Sequence, residues 1–229
     1  MSETVCSGAA PRNIVVIPAF DEEATIASIV EEVRIQGYPV IVVNDASTDG
    51  TSSAARSAGA LVLDLPCRLG AWGATQAGML QAIRTGYHNV VTIDGDGQHP
   101  PGDISTLLTP VAENTADIVI GSCAARGSIA RHTAWRLFRA LSGLRFEDLT
   151  SGFRAYNLEA ARASLGAEAT LADYQDLGIL LLARRKSFRV QEVPVRMHPR
   201  LVGKSRVFSS WLRVLRYMIY TLIIACMRR

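Results

Sequence analysis

Two aspartates stand one residue apart where an apolar run ends, in the stretch VVTIDGDGQHPPGD at residues 90–103. The carboxylates of Asp94 and Asp96, followed by the amide oxygen of Gln98, are hard oxygen ligands of the kind that Mg²⁺ and Mn²⁺ prefer. A divalent cation between the carboxylates would also relieve their mutual repulsion. The competing interpretation is a tight turn in which the aspartates accept hydrogen bonds from backbone amides. The stretch therefore predicts either a metal site or a turn.

Two further polar clusters follow apolar runs and contain residue types suited to binding a nucleotide. In the first cluster, which follows Pro18, Phe20 can stack on a base while Glu22 contacts a polar edge of that base. In the second cluster, NDASTDGT at residues 44–51, Asp45 can accept hydrogen bonds from a nucleobase or a ribose. The alternatives are structural, with Phe20 in the core, Glu22 in a first helical turn, and turn or cap residues in the second cluster.

The elements that must position these residues alternate between strands and helices. Apolar runs rich in β-branched residues predict strands at 13–20, 40–44, 60–65 and 89–94. Helical periodicity predicts helices at 21–37, 51–58 and 73–85. This order, with runs that are apolar on both faces, is typical of an α/β fold whose parallel sheet is covered by helices. Because such folds bind ligands at the carboxyl ends of their strands, we expect the polar clusters to converge there.

Length and composition are those of one globular domain with an appended tail. The chain has 229 residues, of which 48% are hydrophobic, so it can bury a complete core. Its formal net charge of +3 is too small to indicate binding to nucleic acid. The four cysteines are scattered without metal-ligand spacing, and the N-terminus lacks the features of a signal peptide. We therefore predict reduced thiols, a cytoplasmic location and no nucleic-acid partner.

The last residues combine basic and aromatic side chains in a helical pattern. Their uninterrupted apolar part, residues 217–227, is too short to span a bilayer, and Arg213 and Arg216 interrupt any longer stretch. We predict a catalytic domain at residues 1–206, followed at 207–229 by an amphipathic helix that lies on the membrane surface. The alternative is that the apolar face of this helix packs on the domain or forms a homodimer.

Six motifs occur in order between residues 13 and 206: VVIPAFDEEATI, VVNDASTDGT, GAWGATQAGMLQA, DGDGQHPP, DLTSGFRAY and EVPVRMHPRLVGKSR. Together they resemble the successive signatures of the family-2 glycosyltransferases, in the branch of the polyprenyl- and dolichyl-phosphate sugar synthases. The resemblance implies a single GT-A domain, which is a Rossmann-like, mostly parallel nucleotide-sugar-binding fold. It also implies a nucleotide-diphospho-sugar donor, Mg²⁺ or Mn²⁺, inversion at the anomeric carbon, and a polyprenyl-phosphate acceptor at the cytoplasmic membrane face.

The resemblance also assigns the donor site residue by residue. The residues that would hold the nucleotide are Pro18, Phe20, Glu22 and Asp45. The metal ligands would be Asp94, Asp96 and Gln98, with Asp94 also close to the ribose. The residues that would meet the donor diphosphate are Arg200, Lys204, Ser205 and Arg206. Asp96 and Arg200 are thus predicted to be catalytic.

The acceptor side departs from the family pattern in two places. Cys123 stands where an arginine often follows a GS pair, and Gly178 occupies a position where many members carry an acid. A phosphate acceptor requires positive charge, which Arg126 and Arg131 would supply. We therefore predict that these two arginines bind the acceptor phosphate.

Two alternatives to a lipid-phosphate synthase remain open. A soluble family-2 transferase that acts on a sugar hydroxyl needs a catalytic base, for which Asp176 is the first candidate and Asp173 the second. Both aspartates equally suit the acidic first turn of a helix. The other alternative is an inactive nucleotide-binding scaffold, against which the intact metal and diphosphate motifs count.

Overall fold

The computed structural model describes residues 12–123, 146–148, 151–170 and 177–198. In the first half, strands and helices alternate as the sequence predicts. The strands are β1 (Asn13–Ala19), β2 (Val40–Asn44), β3 (Leu61–Asp64) and β4 (Asn89–Thr92). The helices between them are α1 (Glu23–Ile35), α2 (Thr51–Ser57) and α3 (Gly70–Arg84). These strands pair in parallel in the order β3-β2-β1-β4, which confirms the predicted parallel sheet.

The second half extends the sheet by three strands, one of which is antiparallel. The strands are β5 (Ile118–Ser122), β6 (Arg154–Tyr156) and β7 (Val190–Pro194). The helices are a 3₁₀ turn (Pro101–Asp103), α4 (Ile104–Ala112), α5 (Leu158–Ala163), α6 (Ala167–Thr170) and α7 (Leu177–Arg185). β6 runs antiparallel between β4 and β5, and β7 is parallel to β5. The sheet of the described residues thus has seven strands in the order β3-β2-β1-β4-β6-β5-β7.

Both faces of the sheet are buried beneath helices. Along β1, Val15 and Ile17 belong to a hydrophobic cluster with residues of α1 and α4. Ile14 and Val16, which point the other way, belong to a second cluster with residues of α3, α5 and α7. All four side chains are buried. Burial on both faces explains why the strand sequences are continuously apolar instead of alternating.

Two helices begin at residues that the local sequence does not indicate. α1 begins two residues later than predicted, because Asp21 has a left-handed φ of 50° that a helix cannot include. α3 begins at Gly70, three residues earlier than predicted. There the carboxylate of Asp45, from the loop after β2, accepts hydrogen bonds from the amides of Leu69 and Gly70. A distant side chain therefore supplies partners for amides that would be unpaired at a helix start.

No helix among the described residues is long and apolar enough to cross a membrane. The predicted domain boundary at residue 206 and the amphipathic helix at 207–229 lie outside the described residues, so both stay predictions. The same holds for seven predicted site residues, which are Arg126, Arg131, Asp176, Arg200, Lys204, Ser205 and Arg206.

Candidate functional site

The loops after β1 and β2 are joined by hydrogen bonds at the carboxyl edge of the sheet. The amide of Asp21 donates to the Ser47 hydroxyl at 3.0 Å, and the amide of Thr48 donates to Oδ1 of Asp21 at 2.9 Å. The amide of Glu22 donates to the Thr51 hydroxyl at 2.8 Å. Because these bonds involve backbone amides, they fix the main chain that carries the predicted nucleotide-binding side chains of the first loop.

Asp45, which was predicted to contact the base or ribose, is 2% exposed. Its Oδ1 accepts from the amide of Leu69 at 2.6 Å, and its Oδ2 accepts from the amide of Gly70 at 2.9 Å. The carboxylate also lies at the positive end of the α3 dipole, where a negative charge is stabilised. Asp45 therefore anchors the start of α3, and its contact with a nucleotide stays a prediction.

Phe20 is half-buried, and the guanidinium of Arg68 lies over its ring with Cζ 3.8 Å from the ring centroid. Nε of the same guanidinium is 3.9 Å from Oδ2 of Asp45, and the Arg68 side chain is 56% exposed. Sequence analysis did not identify Arg68, because one arginine in a loop forms no recognisable pattern. An aromatic face with an adjacent cation suits both the flat base and the negative charge of a nucleotide.

The predicted metal ligands lie on a turn, residues 93–98, that begins directly after β4. Oδ1 of Asp96 accepts a hydrogen bond from the amide of Gln98 at 3.1 Å. Gly97 has a φ of 73°, which glycine adopts at little cost. The tight-turn interpretation of Asp96 is thus confirmed. A carboxylate has roughly four acceptor positions, so a hydrogen bond from a turn amide and a metal ion can share one carboxylate.

The 93–98 turn contacts the loop after β1 and the helix that follows it. Oγ1 of Thr25 donates to the carbonyl oxygen of Gly95 at 2.7 Å. A methyl group on Gly95 would lie 3.3 Å from the carbonyl oxygen of Pro18 and 3.6 Å from Cγ of Glu22. The loops after β1, β2 and β4 therefore meet at one edge of the sheet, which confirms the convergence that the order of elements predicted.

Asp94 lies against a glycine that sequence analysis placed in a motif without assigning it a role. A methyl group on Gly152 would lie 2.5 Å from Oδ1 and 2.6 Å from Oδ2 of Asp94, which is far inside van der Waals contact. The carbonyl oxygen of Gly152 accepts from Oγ1 of Thr92 at 2.7 Å, so its backbone is held beside β4. Gly152 thus admits the Asp94 carboxylate because it has no side chain. The SGF triplet of the fifth motif was the available signal.

The aromatic side chains next to the 93–98 turn belong to the interior. The rings of His99 and Phe153 lie 5.2 Å apart, and the two residues are 1% and 0% exposed. His99 is therefore out of reach of solvent, which assigns it to packing in spite of its position beside two aspartates.

Beyond β7 the chain continues at the carboxyl edge of the sheet as a segment without regular secondary structure, residues 195–198. The amide of Val195 donates to the carbonyl oxygen of Ser122, at the end of β5, at 3.0 Å. The amide of His198 donates to the carbonyl oxygen of Gln98 at 2.7 Å. The 195–198 segment therefore connects the end of the sheet to the predicted metal turn.

Asp103 and Arg196 form an ion pair along the same segment. Oδ2 of Asp103 accepts from the backbone amide of Arg196 and Oδ1 accepts from Nη2, both at 2.9 Å. Burial opposes ionisation of Asp103, but the hydrogen bonds from Arg196 and its nearby positive charge hold the pKa of the carboxyl below its usual 3.8. The pair is therefore charged on both sides at neutral pH.

Glu192, in β7, holds the segment that leads towards Gly152. Its carboxylate accepts from the amide of Glu147 at 2.9 Å and 2.8 Å, and from the amide of Asp148 at 2.8 Å. These partners are 45 and 44 residues earlier in the chain. Sequence analysis gave Glu192 no role, because a contact across such a separation has no local pattern.

The described residues contain no cluster of three or more His, Cys, Asp or Glu side chains able to hold a metal ion. The predicted donor set has two carboxylates, those of Asp94 and Asp96, and the amide oxygen of Gln98. This set fits Mg²⁺ or Mn²⁺, because such ions commonly keep positions for water and substrate phosphates. The contact with Gly152 also gives the Asp94 carboxylate a defined place.

Comparison with known proteins agrees with this chemistry. The model of the family described as "Glycosyl transferase family 2" matches residues 14–163. Polyprenol monophosphomannose synthase of Mycolicibacterium smegmatis is 30% identical over 221 residues, which cover 88% of this chain and 83% of that protein. Undecaprenyl-phosphate mannosyltransferase of Micrococcus luteus is 30% identical over 214 residues, which cover 86% of this chain and 87% of that protein.

A solved structure shares the architecture. Glucosyl-3-phosphoglycerate synthase from Mycobacterium tuberculosis, in complex with Mn²⁺, uridine diphosphate and phosphoglyceric acid, superimposes with a TM-score of 0.72. The match covers 94% of this chain and 78% of that chain at 24% sequence identity. At this identity the similarity establishes the fold.

Proposed function

The chain belongs to glycosyl transferase family 2, and we propose that it moves a sugar, with inversion, from a nucleotide-diphospho-sugar to a polyprenyl phosphate at the cytoplasmic membrane face. As a family member with the GT-A fold, it is a glycosyltransferase. Two relatives that are 30% identical carry names that specify a polyprenol-linked or undecaprenyl-phosphate-linked mannose. More than four fifths of each relative is covered by this chain. These names support a lipid phosphate as the acceptor.

The observation that carries the proposal is the position of the 93–98 turn. The turn puts Asp94 and Asp96 at the carboxyl edge of the parallel sheet, beside the loops after β1 and β2. Open α/β sheets bind their ligands at this edge. Sugar transfer requires charge stabilisation where the diphosphate leaves, and these two acids, with a cation, are suited to supply it.

Asp94, Asp96 and Gln98 would hold Mg²⁺ or Mn²⁺. The cation, when bound, neutralises the negative charge that grows on the diphosphate as the bond between the sugar and its oxygen breaks. The Asp94 carboxylate is confined by Gly152, and that of Asp96 is oriented by its bond to the Gln98 amide. Both acids are therefore oriented before a substrate arrives, which lowers the cost of reaching the reactive geometry.

The nucleotide would lie on the neighbouring loops. Phe20 offers a ring for stacking. Pro18 and Glu22 lie near Gly95, in the 93–98 turn that carries the predicted metal ligands. Arg68 lies over the Phe20 ring and near Asp45, so its guanidinium is placed to meet the negative charge of a nucleotide on these loops. Asp45 holds the loop that carries Arg68.

The leaving diphosphate would be met by Arg200, together with Lys204 and Ser205. An arginine suits this role because its planar guanidinium binds two phosphate oxygens at once. Arg200 is two residues beyond His198, whose amide donates to the carbonyl oxygen of Gln98. In the chain, the basic motif therefore follows directly after the segment that contacts the metal turn.

The acceptor phosphate needs no catalytic base. A phosphate monoester has a second pKa near ~6, so it is largely dianionic at neutral pH. One of its oxygens attacks the anomeric carbon while the bond to the diphosphate breaks, giving a polyprenyl-phosphate sugar and a nucleoside diphosphate. Arg126 and Arg131 would bind the acceptor phosphate, and the helix at 207–229 would keep the protein at the membrane surface.

Acceptor profiling tests this proposal. Purified protein is incubated with a panel of nucleotide sugars, Mn²⁺ or Mg²⁺, and either a short polyprenyl phosphate or free sugars, and the products are identified by mass spectrometry. We expect one sugar on the polyprenyl phosphate and no product with EDTA. Transfer to free sugars that disappears in Asp176→Asn would support the hydroxyl-acceptor alternative. If the protein shows no sugar transfer and no hydrolysis of the donor, the result would support the scaffold alternative.

A further inference from the structure

We propose that the Asp103–Arg196 pair is a positioning device for catalysis. It holds the 195–198 segment against the 93–98 turn, where the carbonyl oxygen of Gln98 accepts from the His198 amide, so that the turn with the predicted metal ligands keeps its position. This inference rests on the proposed function, because it assigns the pair a role in the same site. Neither residue touches the reacting atoms, and both act through the segments that they join.

The 195–198 segment is held by hydrogen bonds along most of its length. Val195 is bonded to the end of β5, Arg196 to Asp103, and His198 to Gln98. The bonds at Val195 and His198 join backbone groups only, whereas Arg196 is held by a side-chain carboxylate. Of the contacts above, the pair alone involves side chains, and it is therefore the one that a substitution can remove.

The two members of the pair belong to different segments of the carboxyl edge. Asp103 closes the 3₁₀ turn that follows the metal turn by a few residues. Arg200, the predicted diphosphate ligand, is two residues beyond His198 in the chain. The pair thus joins the 3₁₀ turn after the metal turn to the segment that precedes Arg200 in the chain.

The pair contributes little to the stability of the fold. The Arg196 side chain is 72% exposed, and exposed ion pairs contribute little to stability because solvent screens them. A pair of this kind can still fix the orientation of the chain at Arg196, since the Asp103 carboxylate accepts from both its backbone amide and its guanidinium. We therefore expect its loss to reduce turnover much more than it reduces thermal stability.

The test compares Asp103→Asn with Asp117→Asn, a matched change in a second arginine–aspartate pair at the opposite edge of the sheet. We expect Asp103→Asn to lower kcat about tenfold or more, with a smaller change in the KM for the donor, because misplaced catalytic groups lose rate. Asp117→Asn should leave kcat unchanged. Arg196→Gln should have an intermediate effect and Arg196→Lys a smaller one, since both keep the backbone bond to Asp103.

Two measurements that do not depend on activity complete the test. In Asp103→Asn, hydrogen exchange of the His198 amide should accelerate, and calorimetric affinity for Mn²⁺ with nucleoside diphosphate should fall. The inference would be overturned if Asp103→Asn kept the exchange rate of the His198 amide and the Mn²⁺ affinity of the wild type. An equal loss of kcat in Asp117→Asn would also overturn it. If Asp103→Asn does not fold, Arg196→Gln at an exposed side chain provides the same comparison. Absence of sugar transfer by the wild-type protein would count against the proposed function, while exchange and Mn²⁺ affinity decide this inference.

Discussion

Two arginine–aspartate pairs flank β7, and their contacts are closely similar. Arg189 precedes the strand and Arg196 follows it. In each pair one carboxylate oxygen accepts from the backbone amide of the arginine and the other accepts from Nη2. The distances are 2.7 and 2.8 Å for Asp117, and 2.9 and 2.9 Å for Asp103. The two aspartate side chains are 14% and 13% exposed.

The pairs differ in what they hold together. Asp117 directly precedes β5, its amide donates to the Arg189 carbonyl at 2.8 Å, and its carboxylate also accepts from Asn157 at 2.9 Å. This pair joins the starts of two neighbouring strands at the amino edge of the sheet. Asp103 and Arg196 instead join loops at the carboxyl edge. The same contact therefore stabilises the sheet at one edge and orients candidate functional loops at the other.

The largest expected effect is at the carboxyl edge, where Asp96→Asn should lower sugar transfer by about 100-fold or more. The substitution removes the charge that a cation needs, while the amide oxygen still accepts the Gln98 amide and preserves the turn. The melting temperature should change little. Transfer rates with saturating Mn²⁺, together with thermal melts, check this prediction. A variant that keeps most of its activity would remove Asp96 from the site.

Gly152→Ala should lower transfer by about 10- to 100-fold, because the new methyl group displaces the Asp94 carboxylate without removing its charge. The matched control is Gly166→Ala, where the nearest atom to the new methyl group would be 3.4 Å away. Steady-state rates and the Mn²⁺ concentration for half-maximal activity provide the measurement. Equal behaviour of the two variants would contradict the role of the Asp94–Gly152 contact.

Asp117→Asn should lower the melting temperature by about 3–10 °C and leave transfer unchanged, because it breaks hydrogen bonds to a charged group far from the site. The hydrogen bond from the Arg189 guanidinium holds the pKa of Asp117 below its usual 3.8. A carboxyl whose pKa is lower in the folded than in the unfolded protein stabilises the fold at pH values above its unfolded-state pKa. This contribution is lost as the pH falls through its folded-state pKa. The gap in melting temperature between wild type and variant should therefore be full at pH 6 and narrow below about pH 4. A gap that does not depend on pH would contradict this account.

The smallest expected effect is a gain in stability from Ser187→Gly. Ser187 has a φ of 58° after the end of α7, its amide donates to Arg184, and the Phe188 amide donates to Ala183. Glycine is the preferred residue at this position of such a helix end. The melting temperature should rise by about 1–3 °C with unchanged transfer. Melts of the variant beside wild type check it, and a lower melting temperature would contradict it.

Local sequence patterns predict which residues lie at the carboxyl edge. They do not predict the contacts that those residues make with distant parts of the chain. β2 has the predicted bounds, and Asp94 and Asp96 follow a buried strand as expected, because apolar runs and turn residues are local signals. The early start of α3 depends on Asp45, which is 24 residues away from Leu69. The contact of Asp94 with Gly152 and the pair of Asp103 with Arg196 also join distant parts of the chain.

The position of β6 illustrates the same limit. Its sequence is only three residues long, and its place between β4 and β5 arises from antiparallel pairing with both. No alternation or turn signal encodes such an insertion, because pairing partners are chosen by the packed sheet as a whole. The SGF triplet before β6 marks Gly152 as notable, but its contact with Asp94 depends on this pairing and has no local signal.

Calorimetric titration of a nucleoside diphosphate into wild type, Asp96→Asn and Asp117→Asn tests the central claim most directly, with Mn²⁺ and again with EDTA. The claim is that the 93–98 turn binds the metal and diphosphate, while the amino edge only stabilises the sheet. We predict that wild type and Asp117→Asn bind the nucleotide equally well and much more weakly with EDTA, and that Asp96→Asn has lost the Mn²⁺-dependent part. Equal affinity of wild type with Mn²⁺ and with EDTA, or full Mn²⁺-dependent binding by Asp96→Asn, would contradict the claim.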